Sequence, residues 1–149
     1  MARITERKRN AYQLSSFLLG FAITAWMPDF FNVNDAVIIE LSRTHTFLFN
    51  FCTILLVPVT EEILFRGLLF GTICKKRPKL ALFVSVLIFA GIHILDYIGQ
   101  VDWKTLLVCF LQYLPGGFAL AWAYEESENI MTPILMHIAM NAIATVSSR

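Results

Sequence analysis

Charge is scarce in this sequence. Of its 149 residues 15% are charged and 57% hydrophobic, where a soluble domain carries about 25% charged residues. Mean hydropathy is +0.65. The formal net charge of +1 leaves no basic face for a nucleic-acid partner. Cysteine is sparse as well. Cys52, Cys74 and Cys109 are odd in number, far apart and set among apolar residues, with no CxxC, which argues against a disulfide framework and against a thiolate metal site. HExxH is absent, and with it the best-known helical zinc signature. Internal repeats and low-complexity linkers are missing, so one compact membrane domain over 1–149 is the simplest organisation. The last residues, Val146 to Arg149, do not form a prenylation box. No small-residue cleavage site follows the first apolar run, which therefore reads as a retained span rather than a signal peptide.

Long apolar runs are what the chain has in their place. Residues 1–11 form a basic lead-in, and Tyr12 to Phe31 is long enough to cross a hydrocarbon core of about 30 Å. An amphipathic connector, Asn32 to Thr44, leads to a second run from Thr46 to Cys74. That run exceeds one crossing, so it predicts tilt or a break, with Pro58 as the break point and a freed carbonyl beside it. A basic loop at 75–79 precedes a third span, Leu80 to Tyr97. A fourth, Thr105 to Tyr124, has Pro115-Gly116-Gly117 in its middle, a triplet that allows close backbone approach. A fifth runs from Ile130 to Val146, with Pro133 in its first turn. The expectation is an all-α polytopic bundle of about five transmembrane helices. Lys and Arg concentrate before the first span and at 75–79, which predicts a cytoplasmic N-terminus.

Within the second run, residues 60–66 read TEEILFR. Ionisable residues at bilayer depth are costly and are candidates for function by default. On a helix Glu62 and Arg66 are four apart and can pair, while Glu61 is turned about 100° away, free to face the bundle. Counting about 1.5 Å per residue from the basic loop, Glu61 and His93 both lie roughly 21 Å deep. His137 and Asn141 lie roughly 12 and 18 Å in from Asn129 and share one helix face. Phe89 shares a face with His93. One carboxylate and two imidazoles in a single layer have two chemical routes to hydrolysis of an amide bond. In one, Glu61 is a general base and a histidine or Asn141 donates to the oxyanion. In the other, Glu61, His93 and His137 hold a divalent metal such as zinc, with one position open for water. Read alone, each of these residues has a blander use. Glu62 with Arg66 can simply fix helix register, a buried His or Asn is often interhelical glue, and His45 in the connector is an interfacial residue.

Glu61-Glu62-Ile63-Leu64-Phe65-Arg66 resembles the EExxxR motif of the CPBP (Abi) intramembrane proteases. Phe89 to His93 is similar to that family's FxxxH motif, and His137 to Asn141 to its HxxxN motif. The family includes CAAX prenyl endopeptidases and bacterial relatives tied to bacteriocin processing and self-immunity. The resemblance covers residues 46–146, and all of the motifs occur in order on separate apolar spans. It implies Glu61 as the water-activating base, His93 and His137 as its partners, Asn141 as an oxyanion or positioning donor, and Glu62, Arg66 and Phe89 in support. The implied setting is a bacterial cell membrane, with lipid and a membrane-embedded or lipid-anchored peptide as partners. The chain departs from larger members in having a single span before the first motif. Two rival readings use the same polar layer: a non-catalytic immunity factor that binds a toxin or its receptor in the bilayer, and a proton or ion relay.

Overall fold

The computed structural model describes residue 40 and residues 46–74 and 77–147. The lead-in, the first span, the connector, His45 and the N-terminal orientation lie outside the described residues. So do Lys75 and Lys76 of the basic loop.

Helix α1 is one helical run, 46–74, in which α-helical segments Thr46–Phe51, Val57–Glu62 and Gly71–Cys74 alternate with π-helical segments Cys52–Leu56 and Ile63–Phe70. The break expected at Pro58 does not occur. The π turn just before it widens the hydrogen-bond pattern, so that the Val57 N–H donates to the Cys52 carbonyl. The next rung, from Pro58 to Thr53, has no N–H to make it. The chain stays helical and the Thr53 carbonyl is left over.

Helix α2, Pro78–Ile92, starts with proline at its first position, where the missing N–H is no loss. It ends five residues short of the expected Tyr97. His93 is its C-cap, and the chain continues through a 3-10 turn at Leu95–Tyr97. Helix α3, Trp103–Ser127, is longer than expected at both ends and runs through Pro115. Asp102 caps its start, accepting from the Lys104 and Thr105 N–H groups at 3.0 and 3.3 Å. Glu128, with a left-handed φ of 52°, ends it. Asn129 then caps helix α4, Met131–Ser147, through the Met131 N–H at 3.0 Å.

The described residues are helical with no strand, and two of the helices, Phe47–Ile73 and Trp103–Ser127, are long and apolar enough to cross a membrane. Leu80–Ile92 and Met131–Val146 are shorter apolar helices. The distribution of polarity is that of a protein in lipid. Large apolar side chains point outward, Phe47 at 84% and Phe83 at 69% exposure, while Glu62 and Arg66 are 0% exposed. The interior packs Phe65 and Phe89 against Ala119, Leu120, Ala123 and Met136. Small residues on α3, among them Gly117, Ala119 and Ala123, let the helices approach closely.

Candidate active site

The second π segment of α1 begins directly after Glu62, so the two glutamates stand at the last α-helical turn before the geometry changes. Their side chains diverge. Glu62 points into the bundle, where its Oε1 accepts from Arg66 Nη1 at 3.1 Å and from His137 Nδ1 at 2.9 Å. Arg66 Nη2 donates to the Gly117 carbonyl on α3 at 2.9 Å. The guanidinium also lies 4.8 Å from the Phe89 ring centroid, within cation–π range. This buried network ties α1, α3 and α4 together. It is not saturated, since Glu62 Oε2 and Arg66 Nε are buried without a hydrogen-bond partner.

Glu61 is partly buried and faces the two histidines. Its Oε1 is 3.9 Å from His93 Nε2 and its Oε2 is 3.8 Å from His137 Nε2. These separations exceed hydrogen-bond length. The other ring nitrogens decide what Glu61 meets. His93 Nδ1 is 2.8 Å from the Phe89 carbonyl, which can only accept, so Nδ1 carries the hydrogen. His137 Nδ1 likewise donates to the Glu62 carboxylate. When these imidazoles are neutral, Nε2 of each is a bare acceptor facing the Glu61 carboxylate. Glu61 Oε2 is buried without a hydrogen-bond partner. With both imidazoles neutral, three acceptors converge on one region, an arrangement that calls for a donor or a cation.

The bond from His93 to Phe89 has a structural cause. Where α2 ends, the His93 N–H turns to the Gly91 carbonyl, and the Phe89 carbonyl that would have held it is taken by the imidazole of His93 itself. Phe89 is buried, edge-on to Phe65 at 5.5 Å and 4.5 Å from the His93 ring. Asn141 is engaged by the backbone of α1. Its Nδ2 donates to the Thr53 carbonyl at 2.8 Å, the group left over by Pro58. Glu61, His93 and His137 are thus brought together, Glu62, Arg66 and Phe89 back them, and Asn141 joins α4 to α1.

Sequence reasoning passed over Thr53, Gly117 and Tyr113. Pro58 signalled a freed carbonyl near Thr53, and Pro115-Gly116-Gly117 signalled a close backbone approach. Tyr113, whose ring lies 4.2 Å from that of His93, carried no signal in the sequence.

The family described as type II CAAX prenyl endopeptidase Rce1-like matches residues 43–143. The chain belongs to that family. This agrees with the CPBP (Abi) resemblance carried by the motifs. The chain is also similar to UPF0177 protein YxdF of Lactococcus lactis subsp. lactis (strain IL1403), 31% identical over 87 residues, which is 58% of this chain and 42% of the relative. It is 32% identical over 90 residues to the protein named "Putative membrane peptidase YdiL" of Bacillus subtilis (strain 168), covering 60% of this chain and 32% of the relative. The chain spans less than half the length of each of these relatives. No solved structure matches it.

Proposed function

We propose that this protein is an intramembrane endopeptidase that hydrolyses a peptide bond in a membrane-embedded or lipid-anchored substrate. The observation that carries the reading is the convergence of Glu61 with the Nε2 atoms of His93 and His137, at 3.9 and 3.8 Å, inside an apolar bundle. A water between these acceptors donates to Glu61 and to a histidine at once, which orients its lone pair toward a carbonyl carbon. Glu61 takes one proton as the water oxygen bonds to that carbon. The proton then passes to the leaving nitrogen as the C–N bond breaks. Asn141 has a second N–H besides the one given to Thr53, and in this reading it donates to the oxyanion. The family description supports a CAAX-type, lipid-anchored substrate, and the peptidase named among the relatives supports proteolysis. Bacteriocin maturation or immunity is the biological setting suggested by the motifs.

Two imidazoles and a carboxylate are also the donor set of a hydrolytic zinc site, and the two Nδ1 anchors are of the kind that orient metal-binding histidines. Glu61, His93 and His137 would have to draw together to hold a divalent ion, which would polarise the carbonyl or acidify water. Among the described residues, however, no three such side chains are gathered at metal-holding separation. The steps above therefore use side chains alone.

The test is cleavage of a membrane-anchored peptide library by purified wild type and by Glu61→Ala, His93→Ala, His137→Ala and His45→Ala, with and without a chelator. Loss in the first three variants with activity kept in His45→Ala supports the protease. A wild type that cleaves nothing, with in-cell protection from a toxin surviving Glu61→Ala, establishes the immunity factor instead. Sensitivity of the wild type to the chelator decides for the metal route.

A further inference from the structure

His93 occupies an unusual position for a residue whose ring must be aimed. It is the C-cap of α2, with φ −66° and ψ −15°, and the backbone beyond it leaves the helix for a turn. Its neighbour Ile94 has φ −111°, outside helical values. Helical backbone thus frames the residue on one side only. A hydrogen bond from Nδ1 to the Phe89 carbonyl restrains the ring from within its own helix. Packing from a neighbouring helix adds a second restraint on the ring plane, and so on the direction of Nε2 toward Glu61.

Two aromatic rings touch the imidazole. Phe89 lies 4.5 Å away at an interplanar angle of 46°, and it belongs to the same helix, one turn back. Tyr113 lies closer, 4.2 Å, and flatter, 31°, and it comes from α3. The flatter contact is the one that restrains rotation of the plane. The same stretch of α3 also sets the position of Phe89. A Cβ at Gly117 would come 2.9 Å from Phe89 Cδ1, so the ring fits only because residue 117 has no side chain. The Gly117 carbonyl holds Arg66 at 2.9 Å, which fixes the register of α3 against the glutamates of α1. The charged group facing His93 is Glu61 of α1, at 3.9 Å.

We propose that Tyr113 is a positioning residue of this site, its ring packing at a tilt against His93 and holding Nε2 toward Glu61. The proposal rests on the hydrolase reading given above. Tyr113 acts through His93 and touches no reacting atom, so its removal lowers turnover and spares substrate affinity. Misplacement of a catalytic group by about 1 Å lowers rates by about 100-fold, and loss of the Tyr113 ring falls between that and about tenfold.

The experiment compares wild type, Tyr113→Phe, Tyr113→Leu and Glu61→Gln in detergent micelles. It measures kcat and KM on a membrane-anchored peptide and the ring-proton NMR shifts of the chain's 3 histidines, assigned with single His→Ala variants. The expected result for Tyr113→Leu is a kcat lowered at least about tenfold with KM unchanged. The His93 ring protons move downfield as the ring current is lost, and those of His137 stay in place. Tyr113→Phe keeps the ring, so its His93 shifts stay at wild-type values and its kcat stays well above that of Tyr113→Leu. If Tyr113→Leu retains wild-type kcat, or the His93 shifts do not change, while Glu61→Gln is inactive, the positioning role is overturned and the hydrolase reading stands. If Glu61→Gln cleaves as fast as wild type, the hydrolase reading falls, and the positioning role with it.

Discussion

On the Glu62 side of α1, opposite charges and polar groups answer one another: Glu62 holds Arg66 and His137, and Arg66 holds the Gly117 carbonyl. On the Glu61 side, one residue away, a carboxylate faces the Nε2 atoms of two imidazoles and forms no hydrogen bond to either. The first arrangement is what holds a bundle together in a medium that offers no water. The second stores unmet hydrogen-bonding capacity at the same depth, which is how a site prepares to bind something. Adjacent carboxylates therefore take opposite parts, and the turn of about 100° between consecutive helical residues is what separates them.

The largest stability effect belongs on the Glu62 side. Arg66→Leu leaves Glu62 buried without its cation and is expected to cost about 3–5 kcal/mol, read from thermal unfolding in detergent. Glu61→Gln leaves no buried charge unpaired and should leave the unfolding midpoint close to wild type. Equal losses in the two variants would break the comparison.

Gly117→Ala is next. Its Cβ would lie 2.9 Å from Phe89 Cδ1, and overpacking of this kind costs about 1–3 kcal/mol. Phe89→Leu removes the ring edge that is struck, so the double variant should recover part of the loss. A double variant no more stable than the sum of the singles would place the damage elsewhere.

Asn141 sharpens the comparison where α4 meets α1. Asn141→Leu strips the Thr53 carbonyl of its donor and should cost about 1 kcal/mol, in the range of interhelical hydrogen bonds in bilayers. Pro58→Ala restores an N–H to that rung, so Asn141→Leu should cost less in the Pro58→Ala background. An unchanged cost there would mean that the proline does not free the carbonyl.

Asp102 marks the small end of the scale, a capping carboxylate fully in water. The Thr105 hydroxyl at 2.6 Å, with the Thr105 N–H, holds its pKa below the usual aspartate range. A carboxyl whose pKa is lower folded than unfolded stabilises the fold above the unfolded value, near pH 4 or about 3.9, and loses that contribution as pH falls through the folded value. Helix content measured by circular dichroism from pH 6 down to pH 2 should fall slightly more in wild type than in Asp102→Asn. Superimposable curves would show the cap to be energetically silent.

Much of the site could be read in the sequence because charge and histidine are rare enough there to stand out. Glu61, His93 and His137 were expected in one layer from residue counts alone, and the structure brings them together. Counting along a helix gives height and not direction, so the bond from the Asn141 amide to the Thr53 carbonyl had no sign in the sequence. The ends of α2 and α3 were misjudged for a similar reason. Apolar runs continue past Ile92 in the sequence, but there the imidazole of His93 competes for the Phe89 carbonyl and the helix stops. The π segments had no signature beyond Pro58, since they conserve composition and change only the hydrogen-bond spacing. Tyr113 was illegible because an aromatic residue on an apolar helix gives no sign of which ring it will meet.

The most direct test of the account is the cleavage rate of Glu61→Gln, per mole of folded protein, on a membrane-anchored peptide that the wild type cuts. The substitution keeps size and removes only the base. The account predicts a fold at wild-type stability and a rate lowered by about 100- to 10,000-fold, the usual share of a general base. A Glu61→Gln protein that cleaves at the wild-type rate would contradict it, and would make both carboxylates parts of the scaffold.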